Sequence, residues 1–240
     1  MRTLTTITGY LGLFVANLVF AGLVFFLAFV DRRGRLWWPL ARMWGKVIYW
    51  GALTPLKAKG FESLQWDQPG VLMANHESYL DAPALLACCP VPLRFVARKE
   101  VFQAPIMGAA MWATGQIKID RSNQAQAIES LKRAAQQVAA GRTVLVFPEG
   151  TRSVDGQLGA FKKGGFMLAL EAGAPIVPVG IVGTRSLVPR GTWKYSRSRV
   201  AIFVGEPIET VKYAVEDREA LIQIVRERIE SARERAQEML

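Results

Sequence analysis

Histidine is almost absent from this chain: one occurs in 240 residues, and it is His76. Imidazole is the side chain best matched to proton transfer near neutral pH. Any histidine-based acid–base chemistry must therefore run through that residue. Cysteine is nearly as scarce, with Cys88 and Cys89 adjacent and no others. Bridging neighbouring cysteines strains the peptide between them, which argues against a disulfide. Two thiols alone also make no metal site, so the expectation is a pair of buried thiols in a reducing compartment. A Gly-x-Ser-x-Gly elbow is missing, and Ser78 stands only two residues from His76. With no convincing enzyme nucleophile, His76 is better suited to deprotonate a substrate hydroxyl.

Charge is missing from Thr3 to Val30, and Asn17 is the one strongly polar side chain between Leu11 and Val30. About twenty such residues in a helix span the hydrocarbon of a bilayer, roughly 30 Å. A signal peptide fits poorly, because the run is too long and the following Asp31-Arg-Arg-Gly-Arg is no small-residue cleavage site. Seven Lys/Arg lie between residues 31 and 59, with Asp31 and then Glu62 the acids nearby. That bias puts everything after residue 31 in the cytoplasm. Residues 36–56 mix Trp37, Trp38, Trp44, Tyr49 and Trp50 with Arg42 and Lys46, a composition suited to the headgroup layer. Residues 1–57 are thus expected to form a membrane anchor plus an interfacial helix, and 58–240 a catalytic domain. Spanning and re-entrant arrangements are both open, since Gly9, Gly12 and Gly22 permit bending.

Acids are outnumbered, 20 against 30 bases, for a formal charge of +10. Such a surplus attracts anionic lipid or nucleic acid. A hydrophobic anchor makes membrane lipid the economical partner. The basic-aromatic stretch Arg185–Arg199, with Trp193 and Tyr195, is explained by headgroups as well as by nucleic acid, and no nucleic-acid partner is expected.

Past residue 57, short apolar runs alternate with amphipathic stretches. Strands are predicted at Gly70–Ala74, Leu93–Ala97, Gln116–Ile119, Thr143–Phe147, Ile176–Val182 and Val200–Val204. Helices are predicted over 123–140, with Ser122 or Asn123 as N-cap and Gly141 as stop, and over 164–172 and 216–239. The alternation points to an α/β domain with a largely parallel sheet flanked by helices, behind an N-terminal membrane-embedded helical segment.

Three constellations follow predicted strands. Asn75-His76-x-x-x-x-Asp81 places His76 where α/β sheets usually hold their sites. Five residues turn about 140° around a helix, so the two side chains would not share a helix face. They can pair only if His76 lies in the loop and Asp81 in the first turn after it; otherwise Asp81 merely favours a helix N-terminus. Phe147-Pro-Glu-Gly-Thr-Arg-Ser153 bends after a strand and offers N–H groups and the forked Arg152 to an anion, or else is a βα turn with Glu149 and Arg152 paired. Gly115–Arg121 ends a strand with Asp120-Arg121, while Arg98-Lys99-Glu100 and Phe161–Gly165 add further cations. Their shared position at strand ends suggests one anionic pocket.

Together these blocks resemble the glycerolipid acyltransferase family, and most closely its bacterial lysophosphatidate (1-acylglycerol-3-phosphate) members. Asn75–Asp81 looks like the family's first motif, and Ala97–Glu100 through Pro105, Gly108 and Ile119-Asp120-Arg121 looks like the second. Phe147–Ser153 looks like the third and Ile176–Val179 like the fourth, in order over roughly residues 57–210. The resemblance implies acyl transfer from acyl-CoA or acyl-carrier protein to a glycerol hydroxyl at a membrane, with no cofactor beyond that donor. It implies His76 as base and Asp81 as its orienting partner. Asn75, Lys99, Arg121, Glu149, Gly150, Thr151 and Arg152 would then contact substrate, with Arg121 and the 149–152 loop on the acceptor's phosphate. It also puts the anchor in a cell inner membrane. Lys118 departs from the apolar residue many members carry, which bears on the acceptor site. Glycerol-3-phosphate or a lyso-aminolipid as acceptor, a non-catalytic lipid-binding protein, and a hydrolase are the alternatives.

Overall fold

The structure is a computed structural model describing residues 2–240 apart from Asp67, Arg121, Asn123, Arg190 and Trp193. The uncharged N-terminal run is one long helix in three pieces: α1 (Arg2–Val15), a π-helical stretch Ala16–Ala21, and α2 (Gly22–Val30). Asn17 donates its amide to the Leu13 carbonyl at 2.8 Å. The one strongly polar side chain between Leu11 and Val30 is thus spent on a backbone carbonyl where the ladder widens. Next come α3 (Trp38–Gly51), β1 (Leu56–Lys59), β2 (Val71–Ala74), α4 (Asp81–Cys88), β3 (Leu93–Arg98), α5 (Met107–Ala113) and β4 (Ile117–Ile119). The chain then forms α6 (Gln124–Ala139), β5 (Thr143–Val146), α7 (Lys163–Ala172), β6 (Ile176–Val182), α8 (Thr184–Leu187), β7 (Val200–Val204) and α9 (Arg218–Glu238).

One seven-stranded sheet runs β1-β7-β6-β2-β5-β3-β4. Strands β6, β2, β5, β3 and β4 are mutually parallel, while β7 runs antiparallel to β6 and carries β1 parallel to itself. All six predicted strands and the three predicted helices are present, and the sheet is largely parallel as expected. The addition is β1. Its sequence, Leu-Lys-Ala-Lys, is short and cationic, which suits an edge strand and carries little apolar signal.

Central strands β2, β5 and β6 are buried along their whole length, as parallel strands covered on both faces require. Alternation divides their side chains. Leu72, Leu145 and Ile181 face the layer containing Ile48, Leu85 and the N-terminal helix, whereas Val71, Val146 and Ile176 face Val138, Phe166 and Val225. Gly180 is where α9 crosses β6: a Cβ there would lie 2.3 Å from the Arg233 nitrogen.

The Trp-rich helix is used mostly inward. Trp37, Trp38 and Tyr49 are buried, while Trp50 is exposed. Trp38 Nε1 donates to the Cys89 carbonyl at 3.3 Å and the Tyr49 hydroxyl to the Leu80 carbonyl at 2.9 Å, tying α3 to both ends of α4. Helix α1 crosses α3 at a glycine pair, where a Cβ on Gly51 would come within 2.8 Å of Gly12 Cα. Residues Thr3–Val30 form one helix long and apolar enough to cross a membrane, with mean hydropathy 2.6. Ala16, Val24 and Ala28 pack into the main core, while Phe14, Leu18, Phe26 and Phe29 face outward.

Candidate active site

Because β2, β5, β3, β4 and β6 are parallel, the segments that follow them all emerge at one edge of the sheet. Strand β2 ends at Ala74, and the Asn75 side chain continues its pairing with β6. The Asn75 Oδ1 accepts from the Ile181 N–H at 2.7 Å, and its Nδ2 donates to the Ile181 carbonyl at 2.8 Å. The loop holding His76 is therefore fixed to the central sheet. Asn75, expected among the substrate contacts, has its amide committed to this bracket.

His76 sits in the loop and Asp81 opens α4, the one arrangement that lets them meet. Nδ1 of His76 lies 2.7 Å from Asp81 Oδ2. Asp81 is fully buried, and Oδ2 also accepts the backbone N–H groups of Glu77 at 2.7 Å and Ser78 at 2.8 Å. Its Oδ1 accepts the Thr184 hydroxyl at 2.5 Å. A group taking three such donors is an ionised acceptor, so Nδ1 carries the imidazole proton and Nε2 keeps its lone pair. The ring stacks on Phe147, centroids 4.1 Å apart and planes 16° from parallel, with the side chain 20% exposed. Nε2 has no partner among the described residues.

The loop after β5 is zipped to the His76 loop. Glu149 Oε1 accepts the His76 N–H at 2.8 Å, and Ser153 donates its N–H to the His76 carbonyl at 2.7 Å. Glu149 Oε2 accepts the Gly159 N–H at 2.9 Å, so both oxygens of this buried carboxylate, expected among the substrate contacts, hold backbone N–H groups. It does not pair with Arg152. That guanidinium lies 3.6 Å above the exposed Tyr79 ring. Gly150 turns through φ +69°, where a Cβ would also crowd Lys162 at 3.0 Å, and Thr151 is exposed.

Lys99 and Asp120 end β3 and β4 and pair at 2.7 Å. The Lys99 ammonium, then the Ser122 hydroxyl and N–H, bring the Asp120 carboxyl down to about 2. This pair shares the edge with His76 but follows strands two (β3) and three (β4) spacings from β2, roughly 10–15 Å away. Arg121, the expected phosphate contact, lies outside the described residues. The N–H groups at 76, 77 and 78 are all committed to carboxylates, so none of these three backbone groups beside the histidine can serve a developing oxyanion. Sequence patterning also gave no role to Thr184. Its one signal was position, two residues past the end of β6 at the same edge of the sheet.

A histidine locked to a buried carboxylate at the C-terminal edge of such a sheet is a general base poised to act on a bound hydroxyl. The family model described as "Acyltransferase" matches residues 55–182, and the chain belongs to this family. Within it, curated relatives include the chloroplastic 1-acyl-sn-glycerol-3-phosphate acyltransferase LPAT1 of Arabidopsis thaliana, 31% identical over 208 residues, covering 86% of this chain and 58% of that protein. A 1-acyl-sn-glycerol-3-phosphate acyltransferase of Limnanthes douglasii is 35% identical over 173 residues, covering 72% of this chain and 61% of the relative. The chain thus spans under two thirds of the length of these relatives. Among solved structures, the 1-acyl-sn-glycerophosphate (LPA) acyltransferase PlsC of Thermotoga maritima superposes with a TM-score of 0.83 at 26% identity, covering 99% of this chain and 95% of that one.

Proposed function

We propose that this protein is a membrane-bound acyltransferase that moves a fatty acyl group from a thioester donor to the free hydroxyl of lysophosphatidate, making phosphatidate. The observation that carries this reading is the His76 ring, bonded through Nδ1 to buried Asp81 and open at Nε2. An alcohol has a pKa far above 7 and needs a base as it attacks. Nε2 takes the hydroxyl proton while the oxygen adds to the thioester carbonyl. The tetrahedral intermediate then expels the thiolate, which receives the proton from His76, so the C–S bond is exchanged for a C–O ester. Asp81 acts through His76, fixing its tautomer and favouring the imidazolium.

Arg152 and the 149–152 turn bind the acceptor's phosphate, with Lys99 on the far side of the same edge and Arg121 as a further phosphate contact. The donor is acyl-CoA or acyl-carrier protein. The outward apolar face of Thr3–Val30 sits in a cell inner membrane, with the bases after residue 31 keeping the catalytic domain on the cytoplasmic side.

The test is the purified full chain in detergent or lipid, given acyl-CoA with lysophosphatidate, glycerol-3-phosphate or a lyso-aminolipid. Lysophosphatidate should be the acceptor consumed. His76→Ala should lose at least about 100-fold in turnover, the low end for a lost general base, with its circular dichroism unchanged. Near-wild-type turnover by folded His76→Ala would end the mechanism, and preference for another acceptor would replace the substrate.

A further inference from the structure

We infer that Arg233, on the C-terminal helix, is a positioning residue for the active site: through Glu77 and the Gly156 carbonyl it holds the His76 loop and the loop after Arg152 in register. This rests on the acyltransferase reading above, but helix α9 (Arg218–Glu238) lies outside the segment that matches the family model.

Arg233 Nη2 donates to the Gly156 carbonyl at 2.6 Å and lies 3.4 Å from Glu77 Oε1. Its Nη1 is held by both oxygens of Glu230, one helical turn earlier, at 3.0 and 2.9 Å. The guanidinium fork is therefore aimed before it meets the loops. Both side chains of the Arg233–Glu77 pair are largely buried, 14% and 8% exposed. Two turns before it, Arg226 donates to the Leu158 and Gly159 carbonyls at 2.7 and 2.6 Å. Segment 156–159 has no ladder to satisfy these carbonyls, and the arginines of α9 supply the donors.

Glu77 is what makes Arg233 different from Arg226. It adjoins His76, and its own N–H goes to Asp81 Oδ2. Two carboxylates thus stand close together in the catalytic loop, and among the described residues Arg233 is the cation that pairs with Glu77, whose Oε1 also accepts from Asn75 Nδ2 at 3.3 Å. Arg185 of α8 is turned to the Val154 carbonyl at 2.8 Å, Glu149 faces the loop from the other side, and Glu230 is spent on Arg233. Removing one partner of such a pair leaves the other charge buried and unopposed, whereas a pair kept intact fixes geometry more than it adds stability. The close crossing at Gly180 is what lets α9 bring Arg233 within reach.

The test uses the chain's single histidine, whose ring protons are the only imidazole signals in its NMR spectrum. Arg233→Met keeps the stem and removes the fork. It should lower kcat about tenfold with little change in KM for the acyl donor. It should also shift the His76 ring-proton resonances, because the loop that stacks the ring on Phe147 loses its brace. Arg233→Lys should recover part of the kcat, since an ammonium can still pair with Glu77. Glu77→Gln combined with Arg233→Met should be no slower than Arg233→Met alone. A folded Arg233→Met protein with wild-type kcat and unshifted His76 ring-proton resonances would overturn the inference. Wild-type protein inactive on lysophosphatidate would instead reject the substrate, while the ring-proton shifts would still decide the brace.

Discussion

Thr184 Oγ1 lies 2.5 Å from Asp81 Oδ1, on the oxygen that does not face the histidine. The two residues come from different strand ends, α8 after β6 and α4 after β2. Asp81 is therefore oriented by the fold as a whole, not by its own loop alone. Thr184→Val keeps the shape and deletes one hydrogen bond to a buried carboxylate, worth about 1.5–3 kcal/mol. Stability should fall by about that amount in urea titration. Turnover should fall about tenfold or more, since 1.4 kcal/mol of lost orientation in the transition state is a factor of ten. Unchanged kcat in a Thr184→Val protein would separate Thr184 from the reaction.

Arg152 is held over Tyr79 rather than paired with Glu149, so its charge is free for an anion. Arg152→Ala should raise the KM for a phosphorylated acceptor about tenfold, the size of one charge-assisted hydrogen bond. Tyr79→Leu should raise it less, because the guanidinium remains but loses its platform. Steady-state kinetics with lysophosphatidate checks both, and an unchanged KM in Arg152→Ala removes that residue from the phosphate site.

Glu149 serves two backbone N–H groups, one on each oxygen. In Glu149→Gln one of those N–H groups would face an amide NH₂ and go unsatisfied, costing about 1–3 kcal/mol. Midpoints of thermal unfolding should drop accordingly, and kcat should fall with the loosened His76 loop. If KM for the acceptor rose while stability held, Glu149 would be a substrate contact and not a bracket.

Burial first, and then the Asp81 charge, push the Glu77 carboxyl from 4.5 up to about 7, against the lowering pull of Arg233 and Arg185. The folded value is raised, so the folded state holds a proton that the unfolded state has released. Glu77's contribution to stability therefore declines as pH rises from about 4.5 to about 7 and is constant above. Glu77→Gln should abolish this slope, so its unfolding midpoint should gain on the wild type between pH 5 and pH 8. Parallel curves over that window would contradict the assignment.

Much of this protein was legible in its sequence, for identifiable reasons. The charge-free run of 3–30 pointed to a long apolar helix by its length and composition. Strands β2, β5 and β6 announced themselves because parallel strands covered on both faces must be apolar throughout. Strand β1 was hidden because an edge strand of two lysines, a leucine and an alanine has no such need. His76 and Asp81 were marked by scarcity and spacing, and helix geometry required the loop-then-helix arrangement that they adopt.

Other assignments depended on partners far away in the chain, which no local pattern carries. Asn75 and Glu149, expected among the substrate contacts, are also brackets for backbone, because Ile181, Gly159 and the His76 N–H are brought to them. Trp37, Trp38 and Tyr49 suited a headgroup layer by composition but are buried, with Trp38 and Tyr49 bonding the ends of α4. The sequence by itself determined which groups could do the chemistry: one imidazole, one carboxylate at the right spacing, and arginines at strand ends. Only the tertiary structure decided how each is held, because Thr184 and Arg233 reach the catalytic loop across 103 and 156 residues of chain. Burial in the folded state turns those contacts into fixed geometry.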